Sequence, residues 1–229
     1  MKKKELLNRL ISGVTLVLLP LGILAFAWPL ADGRMTSSFG ESRWDHFHDG
    51  IDMVNVDGKI ISPAEGKLVF MWDHAYFPME NHGGGGNYKI LRHGNLYTVY
   101  MHMEDGSPVN PDYKEGDPVG RVGNTGHSFS AHLHTGIYNA GEKMSVNPLA
   151  VMPPIKDEKP PVINSIQFHI GDTYTVIREK ADIRLTRHHP LLVDAIDVIG
   201  GRERLGVFRL AVSVNGKQAC DYRYEKIRS

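Results

Sequence analysis

The sequence predicts a mainly β protein with two β-rich regions. Short apolar stretches separated by glycines recur at close spacing, which is typical of strands joined by tight turns. Between Met35 and Met152, no stretch keeps an apolar period of 3.6 residues long enough to predict a helix. A proline-rich segment then separates this region from a second one. We therefore expect an antiparallel β-sheet domain followed by a smaller β domain.

The first region is assigned to residues 28–152. Its strand-like stretches are GKLVFMW, NYKILRHG, LYTVYMHM, DPVGRVGNTG and AHLHTGIY. Residues 153–161 are assigned as a linker, because MPPIKDEKPP holds four prolines and four charges, which suit neither a helix nor a central strand.

The second region is assigned to residues 162–229. Stretches such as VINSIQFHI and LGVFRLAVSVNG again predict strands, and Asn215-Gly216 is a hairpin turn signal. We expect an immunoglobulin-like β-sandwich here. The region is shorter than the roughly 100 residues of such a domain, so we expect it to be truncated.

Residues 1–27 have the features of an export signal. Four basic residues precede an uncharged apolar run that ends in Ala25-Phe26-Ala27, whose small residues favour cleavage before Trp28. The alternative is an uncleaved membrane anchor, because the following residues could extend the run towards the roughly 20 residues that span a bilayer. Both readings predict an exported chain, in the periplasm, the cell envelope or outside the cell.

Composition limits the kinds of site that the chain can hold. Lys+Arg and Asp+Glu are equal at 26 each, so no basic excess indicates nucleic acid as a partner. The single cysteine, Cys220, excludes an intramolecular disulfide and a cysteine-based zinc or iron–sulfur site. A metal site in this chain would therefore use histidine and carboxylate ligands.

Three short patterns could supply such ligands. His132 and His134 are two residues apart, so on a strand both side chains project from the same face. His48 and Asp52 would lie about 13 Å apart in an extended chain, and only a bend would let both bind one metal. We expect Gly50, midway between them, to permit that bend. In YTVYMHM, strict alternation would align Tyr100 with His102. The spacing of these residues leaves a metal site and a solvated surface as open alternatives.

The order of these patterns resembles the LytM/lysostaphin-type zinc metallopeptidases, peptidase family M23. HDGID is followed by GGGGNYKILRHGNLYTVYMHM, GDPVGRVGNTGHS, AHLHTGIY and VNPL. The resemblance covers about half of the chain. It implies a duplicated hybrid motif-like β fold, a groove over an antiparallel sheet, and an endopeptidase that hydrolyses stem or cross-bridge peptides of peptidoglycan.

Carried onto this sequence, the resemblance implies a Zn²⁺ ion held by His48, Asp52 and His134, with His102 and His132 as catalytic histidines. Two imidazoles and one carboxylate leave a fourth position open, as in catalytic zinc sites. One catalytic histidine would accept a proton from water and the other would stabilise the oxyanion. The sequence does not assign these two roles.

The chain departs from the family around these motifs. Ala131 replaces a frequent proline, Thr135-Gly136 replaces a frequent Phe-Glu pair, and residues 42–46 lack a tyrosine that supports the transition state in some members. A non-catalytic factor that binds peptidoglycan or activates another hydrolase is therefore the alternative function, and a zinc peptidase acting on secreted proteins is a second.

Other residues of interest receive less specific assignments. His46 and Asp49 are expected to be bystanders, and the glycine run 83–86 a flexible wall of the substrate groove. His188 and His189 would point to opposite faces of a strand, which disfavours a shared metal. The remaining histidines receive no role.

Overall fold

The computed structural model describes residues 26–43, 45–80, 83–179, 182–183, 185, 187–199 and 203–228. Across these residues the chain forms sixteen strands and one 3₁₀ helix, which confirms the predicted mainly β fold class. None of the helical segments in this part of the chain is long and apolar enough to cross a membrane.

Ten strands form before the proline-rich segment. They are β1 Arg34–Ser37, β2 Gly50–Val54, β3 Lys59–Ile61, β4 Gly66–Trp72, β5 Asn87–His93, β6 Leu96–Met103, β7 Asp112–Tyr113, β8 Pro118–Arg121, β9 Leu133–Asn139 and β10 Met144–Val146, and the 3₁₀ helix Pro148–Ala150 follows. Six strands come after it: β11 Val162–Ile170, β12 Thr173–Val176, β13 Leu191–Ile196, β14 Arg209–Val214, β15 Lys217–Arg223 and β16 Lys226–Ile227.

One large antiparallel sheet dominates the fold. Its order is β1-β2-β9-β6-β5-β4-β7, and β10 joins β9 and also pairs with β16. β3 and β8 form a separate pair. The central strands alternate between a core face and an open face. Ile51, Tyr100 and Leu133 are buried in the core, whereas Asp52 and His134 point the other way.

The later strands form small sheets of their own. β11 pairs with β12 and β13, and β14 pairs with β15 through the predicted Asn215-Gly216 turn. Both turn residues have positive φ, 52° and 76°, as a type I′ hairpin requires. The immunoglobulin-like sandwich and the domain boundaries stay predictions.

The C-terminal part of the chain contacts the large sheet. Leu205 is 2% exposed in the same core as Met35 and Ile51. Strand β16 pairs with β10, and the side chain of Asn147 donates to the carbonyl of Tyr224 at 2.7 Å. Segments from both sides of the predicted linker therefore share one hydrophobic core.

The predicted export segment lies outside the described residues except for Phe26 and Ala27. Phe26 is 1% exposed and packs with Ile137, Val146 and Met152, and its ring contacts that of His93. The Ala27 N–H donates to the Pro63 carbonyl at 2.8 Å. The folded chain thus includes residues before the predicted cleavage point.

Candidate metal centre and catalytic groove

The register of the large sheet brings together residues that are distant in the sequence. Asp52 on β2 is the direct cross-strand partner of His134 on β9. Ser37 on β1 lies opposite Asp52, and Met101 on β6 lies opposite His134. Side chains of directly opposed residues project from the same face of a sheet. This row across four strands forms the base of the candidate site.

Three side-chain atoms meet above this row. His48 Nε2 lies 3.1 Å from Asp52 Oδ1 and 3.0 Å from His134 Nδ1, and His134 Nδ1 lies 3.1 Å from Asp52 Oδ1. Ligand bonds of about 2.0–2.2 Å at tetrahedral angles place neighbouring ligand atoms about 3.4 Å apart. Within the described residues, this is the one group of three or more such side chains positioned to hold a metal ion. The donor set and its spacing fit zinc.

The three side chains are oriented by contacts outside the cluster. His48 Nδ1 lies 2.8 Å from the carbonyl oxygen of Ser38, to which it donates. His134 Nε2 lies 3.5 Å from Asp49 Oδ1. The outer oxygen of Asp52, Oδ2, lies 3.9 Å from Arg43 Nη2. Such outer partners fix the ring or carboxylate orientation of metal ligands.

The electrostatics of the cluster favour a positive charge at its centre. Burial lowers the pKa of His134, but the hydrogen bonds that its ring donates to Asp49 and Asp52 outweigh this effect and raise the pKa to about 9. Burial raises the pKa of Asp52, yet hydrogen bonds with His134 and His48 hold it far below its ordinary value. Asp52 is therefore an ionised, acceptor-only side chain, as a metal ligand must be.

Gly50 is required by close packing and not by a special backbone conformation. Its φ is not in the left-handed region. A Cβ at this position would lie 2.5 Å from the carbonyl oxygen of Thr135 and 2.8 Å from His134 Nε2. The expectation that Gly50 supplies an unusual bend is therefore replaced by a steric reason: a side chain here would displace the ring of His134.

His102 enters the site through an irregularity in β6. The pairing of β5 with β6 shifts between Asn87 and Lys89, and His102 has φ 63°. Such a bulge re-aims a side chain. Tyr100 lies in the core, with its hydroxyl donating to Thr98 at 2.9 Å, whereas His102 lines the groove. The sequence alternation predicted that Tyr100 and His102 lie on the same face of the strand. This prediction is wrong, because the bulge turns His102 towards the groove.

His102 and His132 face each other beside the cluster. Their ring centroids are 4.8 Å apart, and His132 Nε2 lies 3.7 Å from Asp52 Oδ1. The Nδ1 of His102 donates to the Thr125 carbonyl, and that of His132 donates to the Ser130 carbonyl, each at 2.8 Å. In a neutral ring this leaves Nε2 as the proton acceptor. Burial in particular lowers the pKa of His102, which favours the neutral form.

The cluster opens into a polar groove of about 630 Å³. Gly84, Ser128 and Ser130 are among its lining residues, and the role of residues 83–86 as a flexible wall of the substrate groove stays a prediction. The backbone of this run also holds the neighbouring loop, because the His102 and His127 N–H groups donate to the carbonyls of Gly85 and Gly84 at 2.9 Å.

Arg43 lines the same groove and was not singled out by the sequence patterns. Its guanidinium donates to Glu41 Oε2 at 3.2 Å and to Ser37 Oγ at 2.6 Å. Asp49 was expected to be a bystander but contacts the ring of His134. The one sequence signal for this role of Asp49 was its position next to His48 in HDGID. Sequence spacing alone could not reveal its contact with His134, which lies on another strand.

The other histidines make no part of the cluster among the described residues. His46 is exposed, lies 2.6 Å from Asp45 Oδ1 through Nδ1 and lines the groove without joining the three ligands, so its bystander role stays a prediction. His93 is buried, with Nδ1 donating to the Glu65 carbonyl at 2.8 Å. His188 and His189 lie just before β13 and not on a strand, so the expectation that they point to opposite faces of a strand is wrong, and neither belongs to a metal group.

Comparisons with known proteins identify relatives of this chain. Residues 46–148 match peptidase family M23. An uncharacterized metalloprotease of Haemophilus influenzae is 36% identical over 110 residues, 47% of this chain and 21% of the relative. The DD-carboxypeptidase/endopeptidase Mpg of Neisseria meningitidis is 31% identical over 134 residues, 55% of this chain and 29% of the relative.

The chain thus spans less than a third of the length of these two curated relatives. Among solved structures, a zinc-containing peptidase from Vibrio cholerae aligns with a TM-score of 0.45 and 24% identity, over 59% of this chain and 41% of that one. Residues 46–148 are therefore a domain of peptidase family M23, the LytM/lysostaphin-type metallopeptidases.

Proposed function

We propose that the chain is an exported zinc endopeptidase that hydrolyses peptide bonds in the stem or cross-bridge peptides of peptidoglycan. The observation that carries the proposal is the convergence of His48 Nε2, Asp52 Oδ1 and His134 Nδ1 within 3.1 Å of one another, with two further histidines beside them at an open groove.

The donor atoms support zinc as the metal, held by His48, Asp52 and His134. When bound there, zinc would supply Lewis acidity that polarises a peptide carbonyl and makes water nucleophilic near neutral pH. Asp49 and Ser38 hold the two imidazole rings in place through their distal nitrogens.

His102 and His132 are proposed to handle protons and charge during hydrolysis. Each ring is anchored through Nδ1 to a backbone carbonyl, so Nε2 can take a proton from the attacking water and deliver it to the leaving amine. A ring that carries a proton on Nε2 can donate to the developing oxyanion. Two distances support these roles: His132 Nε2 lies 3.7 Å from Asp52 Oδ1, and the centroids of the His102 and His132 rings are 4.8 Å apart.

Three observations support peptidoglycan as the substrate. A relative that shares 31% identity over 134 residues is named a DD-carboxypeptidase/endopeptidase. The groove is open, as an extended peptide requires, and its glycine wall lets a substrate backbone approach closely. The export features of residues 1–27 favour the cell envelope as the site of action.

The test uses purified sacculi and the full chain loaded with zinc. We expect release of soluble peptides with new amino termini, identified by mass analysis. His48→Ala should abolish release and lower zinc stoichiometry, whereas the matched variant His74→Ala, at an exposed position outside the groove, should retain both. Full zinc occupancy without any release would contradict the peptidase and favour the non-catalytic binding factor. Cleavage of glycine-rich secreted proteins with intact sacculi would favour a protein-directed peptidase.

A further inference from the structure

A carboxylate that is not a metal ligand lies at the centre of a hydrogen-bond network beside the candidate metal centre. Glu41 Oε1 accepts from the backbone N–H of Ser38 at 2.6 Å and from its hydroxyl at 2.7 Å. Glu41 Oε2 accepts from the hydroxyl of Ser37 at 2.7 Å and from Arg43 Nη1 at 3.2 Å. A carboxylate has about four acceptor sites, and these four donors occupy them. Burial raises the pKa of Glu41, but the hydrogen bonds outweigh this effect and lower the pKa, so the side chain is ionised at neutral pH.

The network reaches two of the three candidate ligands. The backbone carbonyl of Ser38 accepts from His48 Nδ1 at 2.8 Å, and the backbone carbonyl of Glu41 accepts from the His48 N–H at 2.8 Å. Glu41 also holds the guanidinium of Arg43, whose Nη2 lies 3.9 Å from the outer oxygen of Asp52. The other oxygen of Asp52 faces the two imidazoles of the cluster. The groups that orient His48 and Asp52 therefore share one carboxylate as their support.

A segment that is distant in the sequence completes the network. The Gly206 N–H donates to the Ser38 hydroxyl at 2.8 Å, and Gly206 N lies 3.4 Å from Glu41 Oε1. Leu205, the preceding residue, is 2% exposed in the core of the large sheet and anchors this segment. A Cβ at residue 206 would lie 3.0 Å from Ser38 Oγ, which is closer than an ordinary contact. Glycine thus leaves the room that this hydrogen bond needs.

These supporting groups lie outside the part of the chain that matches peptidase family M23. The match covers residues 46–148, which contain the three candidate ligands and both candidate catalytic histidines. Residues 37–43, which supply most of the network, precede the match, and Gly206 follows it. The orientation of two ligands therefore depends on segments on both sides of the family domain.

We propose that Glu41 is a positioning residue of the metal centre and that the segment at Leu205 and Gly206 holds it in place. The inference rests on the proposed function, because it concerns the zinc site of that function. Glu41 contacts neither the metal nor the substrate. It acts by fixing the carbonyl that orients His48 and the guanidinium beside Asp52. The C-terminal region is then a structural component of the catalytic site.

The first experiment replaces one oxygen of the network in the full chain. Glu41→Gln keeps the size of the side chain, but an amide NH₂ cannot accept from the donors that one carboxylate oxygen serves. Outer partners of ligands typically change metal affinity by 10–100-fold, and Glu41 lies one contact further from the metal. We therefore expect zinc affinity, measured by competition with a chromogenic chelator, to fall about tenfold. The matched control Glu142→Gln changes an exposed carboxylate that contacts Lys226, outside the network, and should keep the wild-type affinity.

A spectroscopic measurement separates positioning from a general loss of stability. Co²⁺ is bound in place of zinc, and its visible absorption reports the geometry of the ligands. At saturating Co²⁺, Glu41→Gln should change the wavelength or the intensity of this absorption, whereas Glu142→Gln should give the wild-type spectrum. An unchanged zinc affinity or an unchanged Co²⁺ spectrum in folded Glu41→Gln would overturn the inference.

Gly206→Val tests the C-terminal segment at an exposed position, and it keeps the inference testable if Glu41→Gln does not fold. The new Cβ would lie 3.0 Å from Ser38 Oγ and 3.4 Å from Glu41 Cγ, so the side chain would displace the network. We expect zinc affinity to fall about threefold, the contribution of one neutral hydrogen bond. Gly141→Val, at an exposed turn, is the matched control and should leave zinc affinity unchanged. If Gly206→Val binds zinc as tightly as the wild type, the proposed role of the segment is wrong.

The sacculus assay separates this inference from the proposed function. If the wild type binds zinc but releases nothing from sacculi, while Glu41→Gln binds zinc more weakly and alters the Co²⁺ spectrum, the positioning role stands and the peptidase is refuted. If the wild type releases peptides and Glu41→Gln binds zinc equally tightly, the function stands and the positioning role is refuted. A wild-type chain that does not bind zinc would refute both.

Discussion

The Asp49 carboxylate should contribute measurably to metal binding although it is not a ligand. Its Oδ1 lies 3.5 Å from Nε2 of His134, on the opposite side of the ring from the metal-facing Nδ1. Outer partners of this kind typically change metal affinity by 10–100-fold. The side chain of Asp49 is 46% exposed, so solvent screens part of its effect. We therefore expect Asp49→Ala to weaken zinc binding by about tenfold, the lower end of that range.

Zinc affinity is measured by competition with a chromogenic chelator. The carboxylate also stabilises a proton on His134, whose pKa it helps to raise to about 9, so the comparison is made near pH 9, where proton competition is weak. Asp45→Ala is the matched control, because Asp45 lies on the same loop and contacts His46 only at the exposed surface. Equal zinc affinities for Asp49→Ala and wild type, with both folded, would refute the orienting role.

Three further predictions concern stability. Gly50→Ala forces a Cβ against the Thr135 carbonyl and the His134 ring. We therefore expect the unfolding free energy, measured by chemical denaturation, to fall by about 1–3 kcal/mol, and zinc binding to weaken. The control Gly141→Ala, at an exposed turn, should change neither the unfolding free energy nor zinc binding. Lys89 is 2% exposed and burial lowers its pKa to about 8, so the unfolded chain binds more protons above that pH. Between pH 8 and 10, the unfolding free energy of the wild type should therefore rise by about 2 kcal/mol relative to that of Lys89→Met. If the unfolding free energies of the two proteins change in parallel with pH, this prediction is disproved. Burial also lowers the pKa of His93. As the pH falls through 6.5, the ordinary pKa of histidine, this residue is therefore protonated in the unfolded chain before it is protonated in the folded chain. Wild type should lose stability faster than His93→Gln between pH 7 and 5.5, and an equal slope for both proteins would show that His93 does not contribute.

Local sequence patterns predicted the strands well. GKLVFMW and LYTVYMHM correspond residue for residue to β4 and β6, and Asn215-Gly216 forms the expected hairpin turn. These features depend on neighbours along the chain, such as turn residues and strand-like composition. The bulge at His102 was not predictable in this way, because positive φ is uncommon for non-glycine residues and the irregularity arises from pairing with β5.

Packing contacts between distant segments were also beyond the sequence patterns. Leu205 enters the core of the large sheet, and the Gly206 N–H donates to Ser38 Oγ at 2.8 Å, next to the carbonyl that accepts from His48. The proline-rich segment had suggested a separation at that point. Linker composition reports flexibility of the chain, whereas docking depends on surfaces formed only after both segments fold.

The sequence by itself determined the chemical identity of the candidate site. One cysteine and the ordered His48, Asp52, His102, His132 and His134 motifs left histidine and carboxylate as the metal donors and pointed to peptidase family M23. The tertiary structure alone decided the contacts of Asp49 and Arg43 and the steric need for Gly50. The physical reason is the register of β2, β9 and β6, which fixes distances between residues up to 86 positions apart.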